Sequence, residues 1–270
     1  MRITSVVENT CRIGLPVEHG LSLYLTLADD RHVLFDMGQG SLFVRNADAL
    51  GLDVRNVDMA VVSHGHYDHG GGLSQFLSEN TKAKIYVHRA AFQAHYSLRD
   101  TGMSFIGIDS ALSRHPQIEL CEDLKKIDSC LTLFANVQGD CCNPVGNRLL
   151  YGPDDKMLDN FCHEQNLLVR EGDKTVLFAG CAHRGIVNIM RRATEIAGHA
   201  PTHVFAGMHL VKSGLTEREE DQFIRTLADH LLSYEGCCFY TMHCTGTIQY
   251  EKLKNIMQPA LFVVFSAFVI

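Results

Sequence analysis

The stretch VVSHGHYDHGGG, which runs from Val61 to Gly72, places three histidines and one aspartate within six residues. Imidazole nitrogens and carboxylate oxygens are ligands that zinc takes in proteins. His64 and His66 stand two apart in a segment that we interpret as extended, so both side chains project to the same side, as two ligands of one metal ion must. Asp68 and His69 follow at the start of a predicted helix and present a second pair of donors from another direction.

Four donors in so short a stretch suit two metal ions better than one, because two-metal hydrolytic sites hold their ions about 3.5–4 Å apart. The glycines at positions 70–72 remove side-chain bulk, which lets the backbone pass close to an occupied site. The alternative is a set of histidines with purely structural hydrogen bonds, and the ligand spacing disfavours it. The stretch therefore predicts a two-metal centre.

The composition excludes several classes of partner. The chain of 270 residues is 46% hydrophobic, which is ample for a packed core, and its formal net charge of −7 offers no basic footprint for nucleic acid. No apolar run reaches the roughly eighteen residues that cross a membrane. The first residues, MRITSVVENTCRIG, lack the apolar core of a signal peptide, so a cytoplasmic location is expected. In that reducing compartment we expect the ten cysteines to be core fillers, metal ligands or reactive thiols rather than disulfides.

Apolar patterning predicts the elements that position these residues. Strands are expected over LSLYLTL and VLFDMGQG, which form a hairpin that delivers Asp36 to a strand end, and over VDMAVVSH and KIYVH. A helix is expected over GGLSQFLSE, and we interpret residues 99–159 as loops and short strands. The closing segment ALFVVFSAFVI is too short for a membrane anchor and predicts a last strand in the core or a tail over a neighbouring subunit.

Strands and helices alternate in the second half of the chain. NLLVREGDKTVLFAG predicts two strands around a turn, and the helix that follows is expected to end at Gly198. Thr216 and Glu219 have the spacing of a capping box for another helix, after which CCFYTMH predicts a strand. Two β-then-α halves without a clear linker predict one domain over residues 1–270, in which two sheets pack face to face with helices outside.

SHGHYDHGGG resembles the His-x-His-x-Asp-His signature of the metallo-β-lactamase superfamily. The resemblance implies the α/β fold of that superfamily, a four-layer αβ/βα sandwich, which agrees with the two halves predicted above. It also implies that His64, His66, Asp68 and His69 are metal ligands. Asp36, in LFDMG, matches an aspartate that orients the ligand histidines without being a direct ligand itself.

The resemblance implies further ligands at later strand ends, where this chain has LFAGCAHRG, FAGMHLVKSG and YTMHCTG. Cys181 stands where many relatives carry an aspartate that bridges the metals, so either the Cys181 thiolate or His183 is expected to bind metal. His243 matches the final histidine ligand. The middle ligand stays open among three residues of DNFCHEQNLL, namely Asp159, His163 and Glu164.

A narrower resemblance rests on DNFCHEQNLL, GCAHRGIVNI, GMHL and HCTG, over residues 1–258. These motifs are similar to those of a subgroup named for 7,8-dihydropterin-6-methyl-4-(β-D-ribofuranosyl)aminobenzene-5′-phosphate synthase. Related proteins with di-iron centres commonly carry a glutamate where His66 stands, so the histidine favours two Zn²⁺ ions, with Fe or Mn as the alternatives.

A metal centre of this kind predicts a hydrolase of an anionic small molecule, because Zn²⁺ lowers the pKa of a bound water to about 7. Asp68 would hold the proton of the attacking water, and His209 would donate to a leaving group or a substrate oxygen. The alternative for His209 is a hydrogen-bonded imidazole in the core. Lys212 and Arg184 are candidates for holding the anionic substrate.

Two other classes of function stay open. The first is a synthase or transferase that joins a pterin fragment to an aminobenzene ribosyl phosphate with the same metals. The second is a structural or sensing role, which is disfavoured because a closed structural zinc site needs only four ligands and the donors here exceed that number. An oligomer is compatible with the sequence, which does not specify its size.

Overall fold

Strands and helices alternate along most of the chain. The computed structural model describes residues 1–11, 13–211 and 214–264, and the backbone of residues 267–269. The strands are β1 (Arg2–Val7), β2 (Ser22–Thr26), β3 (His32–Phe35), β4 (Met59–Val62), β5 (Lys84–His88), β6 (Tyr96–Arg99), β7 (Gly102–Phe105), β8 (Ile118–Cys121), β9 (Leu124–Lys126), β10 (Leu131–Phe134), β11 (Leu150–Tyr151), β12 (Asn166–Glu171), β13 (Lys174–Ala179), β14 (His203–Ala206), β15 (Cys238–Thr241), β16 (Leu261–Val263) and β17 (Ala267–Val269). The helices are α1 (Leu42–Ala49), α2 (Tyr67–Gly70), α3 (Leu73–Glu79), α4 (Ile186–Ala197), α5 (Glu217–Leu232) and α6 (Thr247–Met257).

The chain divides into two compact units. The described residues of the first unit are 1–123, 151–159 and 267–269, and those of the second are 124–150 and 160–264, apart from the gaps given above. None of the helices in the described part of the chain is long and apolar enough to cross a membrane. A single domain over residues 1–270 stays a prediction.

The first unit is built on a sheet with the strand order β17-β1-β2-β3-β4-β5-β8. Neighbouring strands from β17 to β3 run antiparallel, whereas those from β3 to β8 run parallel. Parallel neighbours need a crossover connection, and α1 and α3 lie in the connections on either side of β4. Phe43 of α1 and Phe76 of α3 share one buried core with Leu34 and Val62 of the sheet. The carboxyl ends of β3, β4 and β5 therefore lie at one edge, where the predicted metal ligands begin.

The second unit repeats this plan. Its sheet has the order β16-β15-β14-β13-β12-β10-β9, and the four strands from β13 to β16 run parallel. Helices α4, α5 and α6 lie in the three crossover connections. Ile189, Leu227 and Leu253 of these helices share a buried core with Leu177 and Phe239 of the sheet. The carboxyl ends of β13, β14 and β15 consequently lie at one edge of this sheet too.

Helix ends in the second unit follow the predicted capping. Gly198 ends α4 with a left-handed φ of +83°, and its N–H donates to the carbonyl oxygen of Thr194. At the start of α5 the Thr216 N–H donates to the Glu219 carboxylate at 2.9 Å, and the Glu219 N–H donates to the Thr216 hydroxyl at 3.4 Å. Both predictions from the sequence are confirmed.

Asp68 and His69 lie at the start of a helix, as predicted, but a break separates this helix from the one over GGLSQFLSE. The two residues lie in the short helix α2, and α3 begins at Leu73. The reason is the close approach of other backbone at the intervening glycines. A Cβ atom at Gly71 or at Gly72 would collide with main-chain oxygens from the loop after β3. Gly71 and Gly72 thus allow the chain to turn between two helices.

The closing segment forms two short strands rather than one. β16 pairs with β15 at an edge of the second sheet, and β17 pairs with β1 at an edge of the first. Each strand covers a row of backbone groups that would otherwise be exposed at a sheet edge. Residues 265, 266 and 270 lie outside the described part of the chain.

Candidate metal site

Three predicted histidine ligands come together directly after β4 in the first unit. His64 and His69 are fully buried, and His66 is 5% exposed. The ring centroid of His64 lies 4.5 Å from that of His66 and 4.1 Å from that of His69. The ligand nitrogen of His64 lies within 4.8 Å of that of each neighbour. This spacing suits imidazoles that share or bridge metal ions.

Asp68 lies beside these rings, at the second position of α2. Its Oδ2 lies 3.9 Å from Nε2 of His69 and 3.3 Å from Nε2 of His19, and the Asp68 side chain is 10% exposed. A nearly buried carboxylate among imidazoles can accept a proton or ligate a cation. The position suits both roles predicted for Asp68, and both roles stay predictions.

Buried oxygens hold Nδ1 of two of these imidazoles. Nδ1 of His69 lies 2.6 Å from Oδ2 of Asp36, and Nδ1 of His64 lies 2.9 Å from the Ser63 hydroxyl. Ser63 donates its backbone N–H and its hydroxyl to the Asp36 carboxylate, both at 2.7 Å. When Nδ1 carries the proton, Nε2 is the nitrogen that can ligate a metal. These contacts agree with the prediction that Asp36 orients the histidines, and its role beside a metal stays a prediction.

His95, in the loop after β5, lies beside the cluster and was not predicted. It is 1% exposed, its ring centroid lies 5.8 Å from that of His66, and its Nδ1 lies 2.9 Å from Oδ2 of Asp159. The ligand atoms of His66, His95 and Asp159 lie within 4.8 Å of one another. Asp159, one of the three candidates for the middle ligand, thus holds His95 as Asp36 holds His69. No spacing signal could have found His95, because it stands seven residues beyond the end of its strand.

The second unit brings together Cys181, His183 and His209, which follow β13 and β14. Their ligand atoms lie within 4.8 Å of one another, and the ring centroids of the two histidines are 4.4 Å apart. Cys181 is 3% exposed and His183 is 1% exposed. The sequence left Cys181 and His183 as alternatives for one position, whereas the structure places both beside His209. Among the described residues, the buried Nδ1 of His209 has no hydrogen-bond partner.

His183 is held from several sides. Its Nδ1 lies 3.0 Å from Oδ1 of Asn147, and its ring stacks on that of Phe161 with centroids 4.5 Å apart. The backbone N–H groups of His183 and Arg184 donate to the two carboxylate oxygens of Glu164, at 2.6 and 2.9 Å. Burial raises the pKa of Glu164 to about 7, although these hydrogen bonds oppose the rise. Glu164 therefore fixes the turn that carries His183.

Cys244 is a further thiol in this region that was not predicted. The His209 N–H donates to Cys244 Sγ at 3.3 Å, and this thiol donates to the carbonyl oxygen of Cys181 at 3.7 Å. Burial acts to raise the pKa of Cys244, but hydrogen bonds with Cys181 and His209 outweigh it and hold the pKa well below the ordinary value. His243 precedes Cys244 in the turn after β15 and is 5% exposed. The motif YTMHCTG contained this signal, because its cysteine is adjacent to the predicted ligand.

The remaining predicted residues have different surroundings. His163 is 1% exposed, and its ring centroid lies 6.0 Å from that of Phe161. Arg184 donates from its guanidinium to the carbonyl oxygens of Val137 and Asn160, at 3.0 and 3.3 Å. Lys212 lies outside the described residues.

The donor sets of both units fit zinc. The first unit offers imidazoles with a neighbouring carboxylate, and the second offers thiol and imidazole groups. Zinc binds all three types of side chain, and ligand histidines in metal sites characteristically hold their other ring nitrogen against an oxygen, as His64, His69, His95 and His183 do.

Comparison with known proteins supports the resemblance predicted from the sequence. Residues 15–136 match the family model described as the metallo-beta-lactamase superfamily, and this segment contains the histidine cluster. A crystal structure of Tm1679, described as a metal-dependent hydrolase of the beta-lactamase superfamily, matches with a TM-score of 0.82 and 27% identity, covering 100% of this chain and 99% of that one. The predicted α/β fold of the metallo-β-lactamase type is confirmed.

Two proteins of Methanocaldococcus jannaschii are similar over most of their length. The uncharacterised protein MJ0448 is 28% identical over 262 residues, which cover 94% of each chain. The 7,8-dihydropterin-6-methyl-4-(β-D-ribofuranosyl)-aminobenzene-5′-phosphate synthase is 23% identical over 265 residues, which cover 91% of this chain and 88% of the synthase. The narrower resemblance found in the sequence is thus matched by a relative of that name.

Proposed function

The chain has the metallo-β-lactamase fold, and from this premise we propose that it is a hydrolase that uses two zinc ions to act on an anionic small molecule. The observation that carries the proposal is the set of three buried imidazoles after β4, in two of which, His64 and His69, Nδ1 is held by Ser63 and Asp36. Burying several imidazoles together is costly unless they are paired or ligate a metal. Their fixed orientation serves coordination better than it serves packing.

Each unit contributes its own donors to the proposal. In the first unit we assign His64, His66, Asp68 and His69 as ligands. In the second unit we assign His243 together with Cys181 and His183, which lie close enough for both to ligate. The middle ligand stays open among Asp159, His163 and Glu164: Asp159 faces His95, and Glu164 accepts two backbone N–H groups.

Bound zinc would lower the pKa of a water molecule to about 7 and polarise a carbonyl or phosphoryl oxygen. The protein's own groups would manage the protons. We assign Asp68, nearly buried beside His69, the role of taking a proton from the attacking water. We assign His209, whose Nδ1 lacks a hydrogen-bond partner among the described residues, the role of giving a proton to a leaving group.

An anionic substrate is proposed because zinc ions attract negative charge even in a protein of net charge −7. Arg184 can assist only in part, since two of its guanidinium N–H groups are already donated to carbonyl oxygens. The absence of nucleic-acid and membrane partners, and an oligomeric state, stay predictions.

The proposal is tested by metal content and hydrolysis together. The purified protein should contain at least about two equivalents of zinc by mass spectrometry and should cleave at least one substrate in a panel of phosphodiesters, phosphomonoesters, lactones and lactams. His66→Ala should lose bound zinc and activity. His88→Ala is the matched control, because His88 is a buried histidine of the same unit whose Nδ1 accepts the Ala90 N–H. Full metal content and activity in His66→Ala would refute the two-metal proposal.

A synthase or transferase is the second candidate, and the similarity to the M. jannaschii synthase favours it. The same donors would then activate a pterin fragment and an aminobenzene ribosyl phosphate for joining. Incubating the zinc-loaded protein with an aminobenzene ribosyl phosphate and a pterin that carries a leaving group, and assaying for the joined product and the released leaving group, distinguishes the two. Formation of a joined product, together with no turnover of the hydrolase panel, would replace the hydrolase proposal by this one.

A further inference from the structure

A second group of potential metal ligands lies in the second unit and shares no residue with the candidate metal site. Cys141 and Cys142 in the loop after β10, and His230 in the last turn of α5, place their ligand atoms within 4.8 Å of one another. The two sulfur atoms are 3.9 Å apart. All three residues are half-buried, so the group is screened from bulk water but accessible to a small ion.

The backbone of this loop turns two consecutive thiols toward each other. In an extended chain the side chains of neighbouring residues point to opposite sides. Cys142 instead has a φ of +52°, a left-handed conformation that is unfavourable for a non-glycine residue. Such a conformation persists only where the surrounding structure enforces it, and residues of this kind cluster at functional sites.

Asn188 of α4 enforces the loop conformation. Its side chain is 1% exposed and holds Cys141 at both backbone groups, accepting the N–H at 3.2 Å and donating to the carbonyl oxygen at 3.1 Å. The same side-chain nitrogen lies 2.9 Å from Oδ1 of Asn143 and 2.8 Å from the carbonyl oxygen of Arg184, so the two N–H groups of the amide are shared among three acceptors. A buried amide that holds Cys141 at both backbone groups is a rigid anchor for the loop that carries the thiols.

The distances match those of a tetrahedral thiolate site. Zinc–sulfur bonds of about 2.3 Å at a tetrahedral angle place two sulfur ligands about 3.8 Å apart, close to the observed separation. A disulfide fits less well. Disulfides join Cα atoms about 4.4–6.8 Å apart, whereas adjacent residues have Cα atoms about 3.8 Å apart across a trans peptide.

The Cys142 thiol is a poor nucleophile in the chain without metal. Burial and the neighbouring Cys141 thiol raise the pKa of Cys142 to about 12, and only Arg191 acts against them. A thiol rather than a thiolate therefore predominates near neutral pH, which argues against a role in covalent catalysis. A thiophilic metal displaces such protons when it binds.

We propose that Cys141, Cys142 and His230 bind one thiophilic d¹⁰ cation such as Zn²⁺, with solvent as the fourth ligand. Two thiolates and one imidazole are a donor set that favours zinc over magnesium or calcium. The bound ion joins the loop at 139–143 to α5, two segments that are far apart in sequence. Because the ion links segments that are distant in sequence, its binding would stabilise the folded chain.

The test compares the zinc stoichiometry of metal-stripped protein and variants, measured by native mass spectrometry and calorimetry. Cys141→Ser/Cys142→Ser should bind one equivalent fewer than the wild type. Cys237→Ser/Cys238→Ser is the matched control, because it removes the other adjacent cysteine pair, which leads into β15. With Cd²⁺ as the probe, the sulfur-to-metal ultraviolet absorption should fall in the first variant and persist in the control. Equal stoichiometry in the wild type and Cys141→Ser/Cys142→Ser would overturn the proposal.

His230→Gln provides a second test that leaves both thiols in place. Because His230 is half-buried in the last turn of α5, the variant should fold, which circular dichroism verifies. It should weaken the affinity for one zinc equivalent by at least about tenfold, the loss typical when support of a metal site is removed. If Cys141→Ser/Cys142→Ser does not fold, this variant decides, and unchanged affinity for every equivalent would overturn the proposal.

Discussion

At the scale of single residues, the oxygens behind the imidazoles organise the candidate metal site. Nδ1 of His64 contacts a serine hydroxyl, Nδ1 of His69 and of His95 each contact an aspartate carboxylate, and Nδ1 of His183 contacts an asparagine amide. Each of these contacts selects one tautomer and one ring direction. The arrangement makes the supporting oxygens as informative in mutagenesis as the ligands themselves.

Asp36→Asn tests this support in the first unit. The amide keeps the shape of the carboxylate but lacks its charge and its second acceptor, so His69 and Ser63 lose a common anchor. We expect metal affinity to fall by about 10–100-fold, the usual cost of removing such a partner. Competition with a chromogenic chelator measures it. Asp58→Asn, at a carboxylate that accepts the His32 N–H in the same unit, should leave the affinity unchanged, and equal affinities in both variants would contradict the expectation.

His88 makes stability depend on pH. Burial lowers its pKa, and its Nδ1 accepts the Ala90 N–H, which requires the neutral ring. Because the unfolded chain titrates near pH 6.5, it binds more protons than the folded chain below that pH, and stability is lost as the pH falls through this range. His88→Gln should therefore lose less stability than the wild type between about pH 7.5 and about pH 5, measured by urea unfolding.

The comparison with the wild type is essential, because the titration of Glu164 changes stability with pH in the direction opposite to that of His88. The pKa of Glu164 is raised by burial to about 7, so the folded chain binds the extra proton and this contribution is lost as the pH rises from about 4.5 to about 7. Both proteins keep Glu164, and only the His88 contribution differs between them. An identical pH dependence in the two proteins would show that His88 does not titrate as described.

The residues of the candidate site were predictable to the extent that they lie close in sequence. His64, His66, Asp68 and His69 are neighbours along the chain, so their types and spacing were a sufficient signal. His95 lies beside the donors of the first unit, and Cys244 lies beside those of the second. Each does so through contacts with residues distant in sequence. Single-sequence reasoning has no access to such contacts, although Cys244 stood beside a predicted ligand.

At the scale of elements, the division between α2 and α3 positions Asp68 and His69. In a continuous helix across residues 67–79 the directions of these two side chains would be fixed by the axis of α3. The observed break between α2 and α3 removes this constraint. The break depends on two glycines that touch other main-chain segments.

Gly72→Ala should therefore destabilise the protein by about 1–3 kcal/mol, the range for added bulk in a packed region, and should lower metal content. A Cβ atom there would meet the carbonyl oxygen of Met37 and would lie 2.8 Å from both the carbonyl oxygen of Gly40 and the ring of Phe43. Gly40→Ala is the control, because a Cβ atom at that position has nothing within 4 Å. Urea unfolding and zinc analysis measure both effects, and equal stabilities of the two variants would contradict the steric explanation.

Strands and helix caps were predictable because their signals are local. Continuous apolar runs indicated β3, β4, β12 and β13, and the spacing of Thr216 and Glu219 indicated the start of α5. The break after α2 was not predictable, since glycine patterns do not reveal which distant backbone approaches them. The closing segment was apolar enough for a strand, but its division between β16 and β17 depends on which sheet edges are open.

At the scale of the whole molecule, metal binding and folding should be coupled. The proposed ligands of each unit are ordered only in the folded chain, so ions that bind to them stabilise the folded chain by mass action. At a metal concentration a hundredfold above the dissociation constant the gain is about 2.7 kcal/mol.

Removing zinc with a chelator should accordingly lower the thermal unfolding midpoint by several degrees, followed by circular dichroism. The chelator should have a smaller effect on His66→Ala, which has less zinc to lose. Restoring zinc should restore the midpoint of the wild type. An unfolding midpoint that stays constant while the measured zinc content falls would contradict the coupling of metal binding to folding.

The hydrogen bond that Asn188 accepts from Cys141 should slow the hydrogen–deuterium exchange of the Cys141 amide. Asn188 accepts the Cys141 N–H from within the core, so this amide belongs to a loop but is protected by a buried partner. In deuterated water the Cys141 amide should exchange as slowly as amides within α4, because both open only when the surrounding core opens. Asn188→Ala should accelerate deuterium uptake in the peptide that spans residues 139–143, with little change at the β12–β13 hairpin. The loop at 139–143 would then exchange as part of the α4 core rather than as an independent surface segment.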